Sequence, residues 1–163
     1  MISPATTKSH IALVSKLAFE IWQQHYYGII GKVQTDYMLG KYQTAEAIAK
    51  QMADERYEYY LLYDNAEAVG YFAFQYRGDA LFLSKIYVRR AERGSGFGRE
   101  ALDFMIGMAR SKKKKMIALT VNKGNLETIK IYEQMGFRNA GPLVTDIGNG
   151  FVMDDYALEL QIG

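Results

Sequence analysis

Cysteine is absent from this chain, which excludes disulfides, a thiolate nucleophile and thiolate metal sites. Proline is nearly absent, with two in 163 residues, and no Ser/Gly-rich linker or internal repeat interrupts the pattern. A single domain over residues 1–163 is therefore the expectation. Neither sign of charge dominates: 20 Lys and Arg against 18 Asp and Glu leave +2, too balanced to announce nucleic acid as a partner. No run approaches the ~18 apolar residues of a membrane span, and the start Met1–Thr6 lacks a basic segment followed by an apolar core. A soluble, cytoplasmic protein with no nucleic-acid and no membrane partner is expected. Lys112–Lys115 is the local exception, read as the solvated end of a helix, where cations favour the dipole.

Glycine, in contrast, is concentrated in one place. Arg93-Gly94-Ser95-Gly96-Phe97-Gly98-Arg99 lies between a strand-like run, Leu81 to Val88, and a helix-like run, Glu100 to Arg110. Glycines there let the backbone take positive φ and approach a ligand closely, while the N–H groups opening the helix have no intrahelical partner. Those donors and the helix dipole favour an anion, and Arg93 and Arg99 flank the turn, so a pyrophosphate is the expected occupant. The spacing is neither Gly-x-Gly-x-x-Gly nor a loop ending in Gly-Lys-Ser/Thr, which argues against dinucleotide and Walker-type readings.

Around this loop the chain reads as alternating elements. Ile11, Val14, Ala18, Ile21, Trp22 and His25 recur at helical spacing over residues 7 to 25, with Gly28 to Gly31 as the stop. A short helix is expected over Thr35 to Tyr42, and another from Thr44 to Arg56. Tyr57–Tyr63, Ala68–Tyr76 and Leu81–Val88 read as an antiparallel meander. The Glu100–Arg110 helix, apolar nearly all round, leads to a strand at Met116–Val121 parallel to Leu81–Val88. Asn125 caps a helix to Met135, Phe137–Ala140 begins a strand, Asp146–Gly150 forms a turn, and Phe151–Gln161 is a long final strand. The sum is a mixed, strongly twisted α/β sheet.

The pattern Arg-x-x-Gly-x-Gly, followed after one further strand by Asn125 and then Tyr132-Glu133-Gln134-Met135-Gly136-Phe137, resembles the GNAT superfamily of acyl-CoA N-acyltransferases. The matched stretches cover about residues 69 to 137. The resemblance implies a GNAT-like fold with splayed central parallel strands and helices on both faces, acetyl-CoA as co-substrate, no metal, and a small-molecule primary amine as acceptor. It implies that the backbone of Ile86, Tyr87 and Val88 pairs with the pantetheine arm. Arg93, Gly94, Ser95, Gly96, Phe97, Gly98 and Arg99 would hold the pyrophosphate, and Asn122 and Asn125 would touch the coenzyme. Relatives are often dimers, which makes a homodimer an expectation. A weaker likeness to bacterial polyamine acetyltransferases, over Val69 to Phe137, points to spermidine-like acceptors.

In that mechanism the amine attacks the thioester directly and Tyr132, also in contact with the coenzyme, protonates the departing thiolate. The alternative for Tyr132 is a packing role, and Asn125 could be an N-cap as well as a ligand. The general base is not apparent, because many relatives carry a Glu about where Ser84 stands. Asp154, Asp155, Glu20 and His25 are the replacements considered, with Tyr26, Tyr27, Asp36, Asp154 and Asp155 as candidates to line the acceptor pocket. Asp154 shares a strand face with Val152, Tyr156 and Leu158, so its carboxylate needs a cation, either a substrate amine or a Lys or Arg of the chain. The missing Glu also motivates an alternative class, a non-catalytic acyl-CoA sensor. A protein or peptide N-acetyltransferase is a further reading, and a nucleic-acid module built on the lysine run a last one.

Overall fold

A computed structural model describes all 163 residues, Met1–Gly163. In chain order the elements are β1 (Ile2–Pro4), α1 (Lys8–Ile30), α2 (Lys32–Tyr42), α3 (Ala45–Asp54), β2 (Glu58–Asp64), β3 (Glu67–Arg77) and β4 (Ala80–Val88). A single 3-10 turn (Arg90–Glu92) precedes α4 (Phe97–Ser111), β5 (Met116–Asn122), α5 (Leu126–Gln134), β6 (Arg138–Gly148) and β7 (Phe151–Gln161). The strands form a mixed sheet in the order β1-β2-β3-β4-β5-β7-β6. β4 and β5 are its parallel pair, with a ladder from Ala80↔Met116 to Leu83↔Leu119. The contacts group residues 1–75 with 84–104, and residues 76–83 with 105–163.

The first unit is organised by α1. Val14, Leu17, Ala18, Ile21 and Trp22 are buried at helical spacing, which gives the helix one apolar stripe. Its start is a reciprocal cap: the Thr7 hydroxyl accepts from the His10 amide at 3.1 Å, and the Thr7 amide donates to His10 Nδ1 at 3.3 Å. The helix runs straight through Gly28 and stops at Gly31, whose φ of 86° no helix accommodates. Thr44 caps α3 through a 3.1 Å bond from the Ala47 amide, and α3 ends two residues before Arg56, where φ is 59°. A buried chain of side chains ties these helices to β2 and β3. Trp22 Nε1 donates to the Tyr71 hydroxyl (3.0 Å), which donates to Gln43 (2.6 Å); Gln43 donates to the Tyr59 hydroxyl (3.1 Å), which donates to Gln51 (2.7 Å). Each buried polar side chain in this series is thereby hydrogen-bonded.

α4 departs from expectation. Ala101, Leu102, Met105 and Ala109 are buried while Arg99, Glu100, Asp103 and Arg110 are exposed, so the helix is amphipathic and not apolar all round. Its apolar residues at 101, 102, 105 and 109 already make one stripe, and Phe104, Ile106 and Met108 only widen it.

In the second unit β5 pairs antiparallel with β7 from Met116↔Gln161 to Asn122↔Asp155, and β7 pairs with β6. β6 is much longer than the expected start at Phe137–Ala140. It runs to Gly148, and the turn is the Asn149-Gly150 pair alone, at φ 54° and 79°, the positive-φ dipeptide that a tight hairpin demands. Gly141, Pro142 and Gly148 read as loop signals in the sequence; register shifts between Asn139 and Gly141 and between Asp146 and Gly148 absorb them into the strand.

Candidate active site

The glycine turn has the conformation its composition requires. Gly94 and Gly96 have φ of 80° and 88°, Arg93 to Gly96 are all exposed, and α4 begins at Phe97 with the Glu100 amide bonded to the Gly96 carbonyl at 3.0 Å. The amides of Phe97, Gly98 and Arg99 therefore precede the first helical hydrogen bond and are unused by the helix. Gly98 has no positive φ, and a Cβ built on it meets nothing within 4 Å. Neither backbone conformation nor packing calls for glycine at 98, although glycine weakens a helix by roughly 0.5–1 kcal/mol relative to alanine.

The flanking arginines are lightly tethered. Arg93 Nε donates to the Val88 carbonyl at 3.3 Å, and Arg99 pairs with Asp103 at 3.3 Å on the exposed helix surface. Arg89, just before the turn, is held by Glu67 at 2.6 Å and Glu20 at 3.4 Å, which commits the Glu20 carboxylate to a structural ion pair.

Ile86, Tyr87 and Val88 are half-buried at the end of β4. The sequence reading missed what positions them. A Cβ at Gly70 of β3 would stand 2.4 Å from the Tyr87 carbonyl oxygen and 3.1 Å from the Val88 Cα, so only glycine lets β4 lie as it does here. The signal was present, because a glycine inside a strand pattern marks a close backbone approach. The Tyr87 ring packs against Trp22 (5.4 Å) and Tyr71 (5.7 Å), and its hydroxyl lies 2.9 Å from that of Tyr26.

Of the other acceptor-side candidates in this unit, Tyr27 donates to Asp36 at 2.6 Å and Lys32 donates to the other oxygen of the same carboxylate at 2.6 Å. Asp36 is thus neutralised within the chain, and its partners hold its pKa below the ordinary carboxylate value, Lys32 most strongly and then Tyr27. His25 packs edge-on to Tyr26 at 4.7 Å. Ser84 accepts from Lys85 at 2.8 Å.

The second unit gathers Asn122, Asn125, Tyr132, Asp154 and Asp155. Asn122 ends β5, its side chain accepts from the Gly124 amide at 2.8 Å and its carbonyl accepts from the Asn125 amide at 2.9 Å. Asn125 occupies the N-cap position of α5 yet makes no side-chain cap bond, which corrects the capping expectation; its side chain is 5% exposed. Tyr132 lies two turns along α5. Gly136, at φ 104°, turns the chain so that the Phe137 amide bonds the Tyr132 carbonyl at 3.0 Å and the two rings meet edge-to-face at 5.3 Å. The Gly-Phe pair thus braces the tyrosine.

The two adjacent aspartates separate by strand alternation. Asp154 is exposed and pairs with Lys123 at 2.9 Å, so the cation its position required comes from the chain itself. Asp155 faces the other way, is 5% exposed, and lies directly opposite Asn122 of β5 and Leu143 of β6. Burial, with help from the charge of Asp154, pushes its pKa up to about 6 against a smaller opposing pull from Lys123.

The profile of the Acetyltransferase (GNAT) family matches residues 18–137. No curated protein matches the chain. Among solved structures, the PaiA N-acetyltransferase of Thermoplasma acidophilum, in complex with coenzyme A, superposes with a TM-score of 0.81 at 14% identity over 99% of each chain. The ribosomal-protein-S18-alanine N-acetyltransferase of Escherichia coli gives 0.70 at 21% identity, over 100% of this chain and 94% of that one. A chimera of the spermidine N-acetyltransferase SpeG from Vibrio cholerae and hSSAT gives 0.71 at 17% identity, over 99% and 95%. At such identities the likeness is one of fold, and the names of the last two indicate different acceptors.

Proposed function

The chain belongs to the GNAT family of acetyltransferases, and from that membership we propose that it transfers the acetyl group of acetyl-CoA to a small primary amine by direct attack. Its fold is the family's mixed α/β sheet, and acetyl-CoA is the co-substrate. In this reading the backbone of Gly94 to Arg99 receives the pyrophosphate, Ile86 to Val88 pair with the pantetheine, and Arg93 and Arg99 add positive charge. The observation that carries it is the glycine turn itself: exposed, at positive φ in two places, and free of side chain at Gly98 where the protein has no need of it.

The residues suit catalysis without a covalent enzyme intermediate. An amide near Tyr87 or Val88 stabilises the oxyanion that develops as the amine adds to the thioester carbonyl. Tyr132, braced by Phe137, supplies a proton to the sulfur as the C–S bond breaks. The acceptor is read as a polyamine or other small aliphatic amine.

Calorimetry with coenzyme A and a thiol-release screen of amines test the proposal together. Binding accompanied by thiol release and an acetylated amine in the mass spectrum supports it. Binding without turnover across polyamines, amino acids, aminoglycosides and peptides points to a sensor, and no heat with coenzyme A removes the loop assignment.

A further inference from the structure

Resting on that reading, we infer that Asp155 takes the proton of a cationic aliphatic amine acceptor, filling the role for which no carboxylate stands at Ser84. Three observations within the second unit carry this. Asp155 is 5% exposed, and its carboxylate makes no hydrogen bond or ion pair with the chain, the nearby Lys123 being committed to Asp154 at 2.9 Å. A buried carboxylate without donors is costly, and an ammonium supplied by a ligand removes that cost. Second, Asp155 lies opposite Asn122, the last residue of β5, and ligands of open α/β sheets bind outside the carboxyl ends of parallel strands. Third, Asn125, three residues beyond Asn122 on the β5–α5 turn, is also 5% exposed and makes no side-chain bond to its own helix, which leaves a buried polar side chain on that turn for a ligand.

Hydrogen bonds tie this turn to β7. The Lys123 amide donates to the Asp154 carbonyl at 3.0 Å, and Asn122 holds the Gly124 and Asn125 amides, so β7 and the β5–α5 turn are laced together.

In the reaction the ammonium first gives one proton to the Asp155 carboxylate, which releases it to solvent; the nitrogen lone pair so freed forms a bond to the thioester carbonyl carbon, and the C–S bond breaks with its electron pair on sulfur. The proton shed by nitrogen as the C–N bond forms goes to the Asp155 carboxylate, and the sulfur is protonated from Tyr132. Proton exchange with solvent then restores both groups, and atoms and charge balance. A carboxyl titrating at about 6 is ionised at neutral pH yet more basic than an ordinary aspartate. The charges that act on it are Asp154, which raises its pKa, and Lys123, which lowers it; Asn122 across on β5 and Leu143 across on β6 do not titrate.

The test uses the full-length protein with acetyl-CoA, and with spermidine and a peptide bearing a free α-amino group as acceptors. Wild-type kcat/KM is expected to rise with pH through an apparent pKa near 6. Asp155→Asn is expected to lose about 100-fold in kcat and to lack that acid limb, with acetyl-CoA affinity within about twofold of wild type. An Asn variant that keeps the limb and most of its rate overturns the inference. So does a wild-type protein that binds acetyl-CoA but releases no thiol with either amine, although the coenzyme reading then stands. If Asn prevents folding, Asp155→Glu decides: a retained limb with a lowered rate supports the role, and unchanged rates at every pH refute it. Failure of wild-type protein to bind acetyl-CoA instead removes the reading beneath.

Discussion

Asp155 and Tyr132 carry opposite proton transfers in this scheme, and each makes a measurable demand of its surroundings. Tyr132→Phe keeps the edge-to-face contact with Phe137 and removes only the hydroxyl. Steady-state kinetics should show kcat lower by about 10²-fold, as for loss of a general acid, while calorimetry should show acetyl-CoA affinity nearly unchanged. An undiminished kcat would relegate Tyr132 to packing. For Asp155 the folded-state pKa lies above the ordinary 3.8, so between about 4 and 6 the folded protein binds more protons than the unfolded chain. Stability therefore falls as pH rises through that window and stays reduced above it. Asp155→Asn removes the charge and should stabilise the protein at pH 8 by on the order of 2 kcal/mol, with no gain at pH 4. Denaturant titrations at the two pH values check this. A variant more stable yet inactive at pH 8 separates a working carboxylate from a structural one.

The elements argue through their glycines. In α4 the glycine at position 98 satisfies no backbone or packing need, so Gly98→Ala should raise the melting temperature slightly, as roughly 0.5–1 kcal/mol of helix stability predicts. The same substitution should weaken acetyl-CoA binding, measured by calorimetry, because a methyl group stands where the ligand approaches. In β3 the case is reversed. An alanine at Gly70 places its Cβ 2.4 Å from the Tyr87 carbonyl, a contact with backbone that cannot be relieved by a rotamer. Gly70→Ala should destabilise by about 1–3 kcal/mol, as overpacking does, and should lower coenzyme affinity by displacing the end of β4. Equal affinity in that variant would show that the Tyr87–Val88 backbone is not used.

For the whole molecule, a ligand that binds only the folded state stabilises it by mass action. Coenzyme A at about 100 times its Kd should add roughly 2.7 kcal/mol, and a melting curve should shift upward by about 5–11 °C at this chain length. An unmoved transition would contradict the co-substrate assignment. The order and type of most elements were legible before any coordinates. Apolar spacing located α1, Asn125 and Gly136 bracketed α5, and turn signals at Asp64-Asn65 and Gly78-Asp79 separated the runs that form β2, β3 and β4. Misplaced ends came where local signals conflict: Gly28 reads as a stop but sits comfortably in a helix, and Gly141 with Pro142 reads as a loop but is absorbed by a bulged strand. The three-residue β1 was too short to show any period at all.

What the amino acids determined by themselves are the local features on which the coenzyme reading rests, a turn of glycines between strand and helix and a tyrosine one helix later, because their spacing survives any packing. Pairing at a distance decided the rest. Only tertiary contacts gave Asp154 to Lys123, left Asp155 buried without a donor, and left the Asn125 side chain without a bond to its own helix, whereas the Lys32–Asp36 pair is a local i,i+4 contact within α2. Whether a carboxylate is spent or available depends on which cation the fold carries to within a few ångströms of it, and neighbours in sequence do not record that distance.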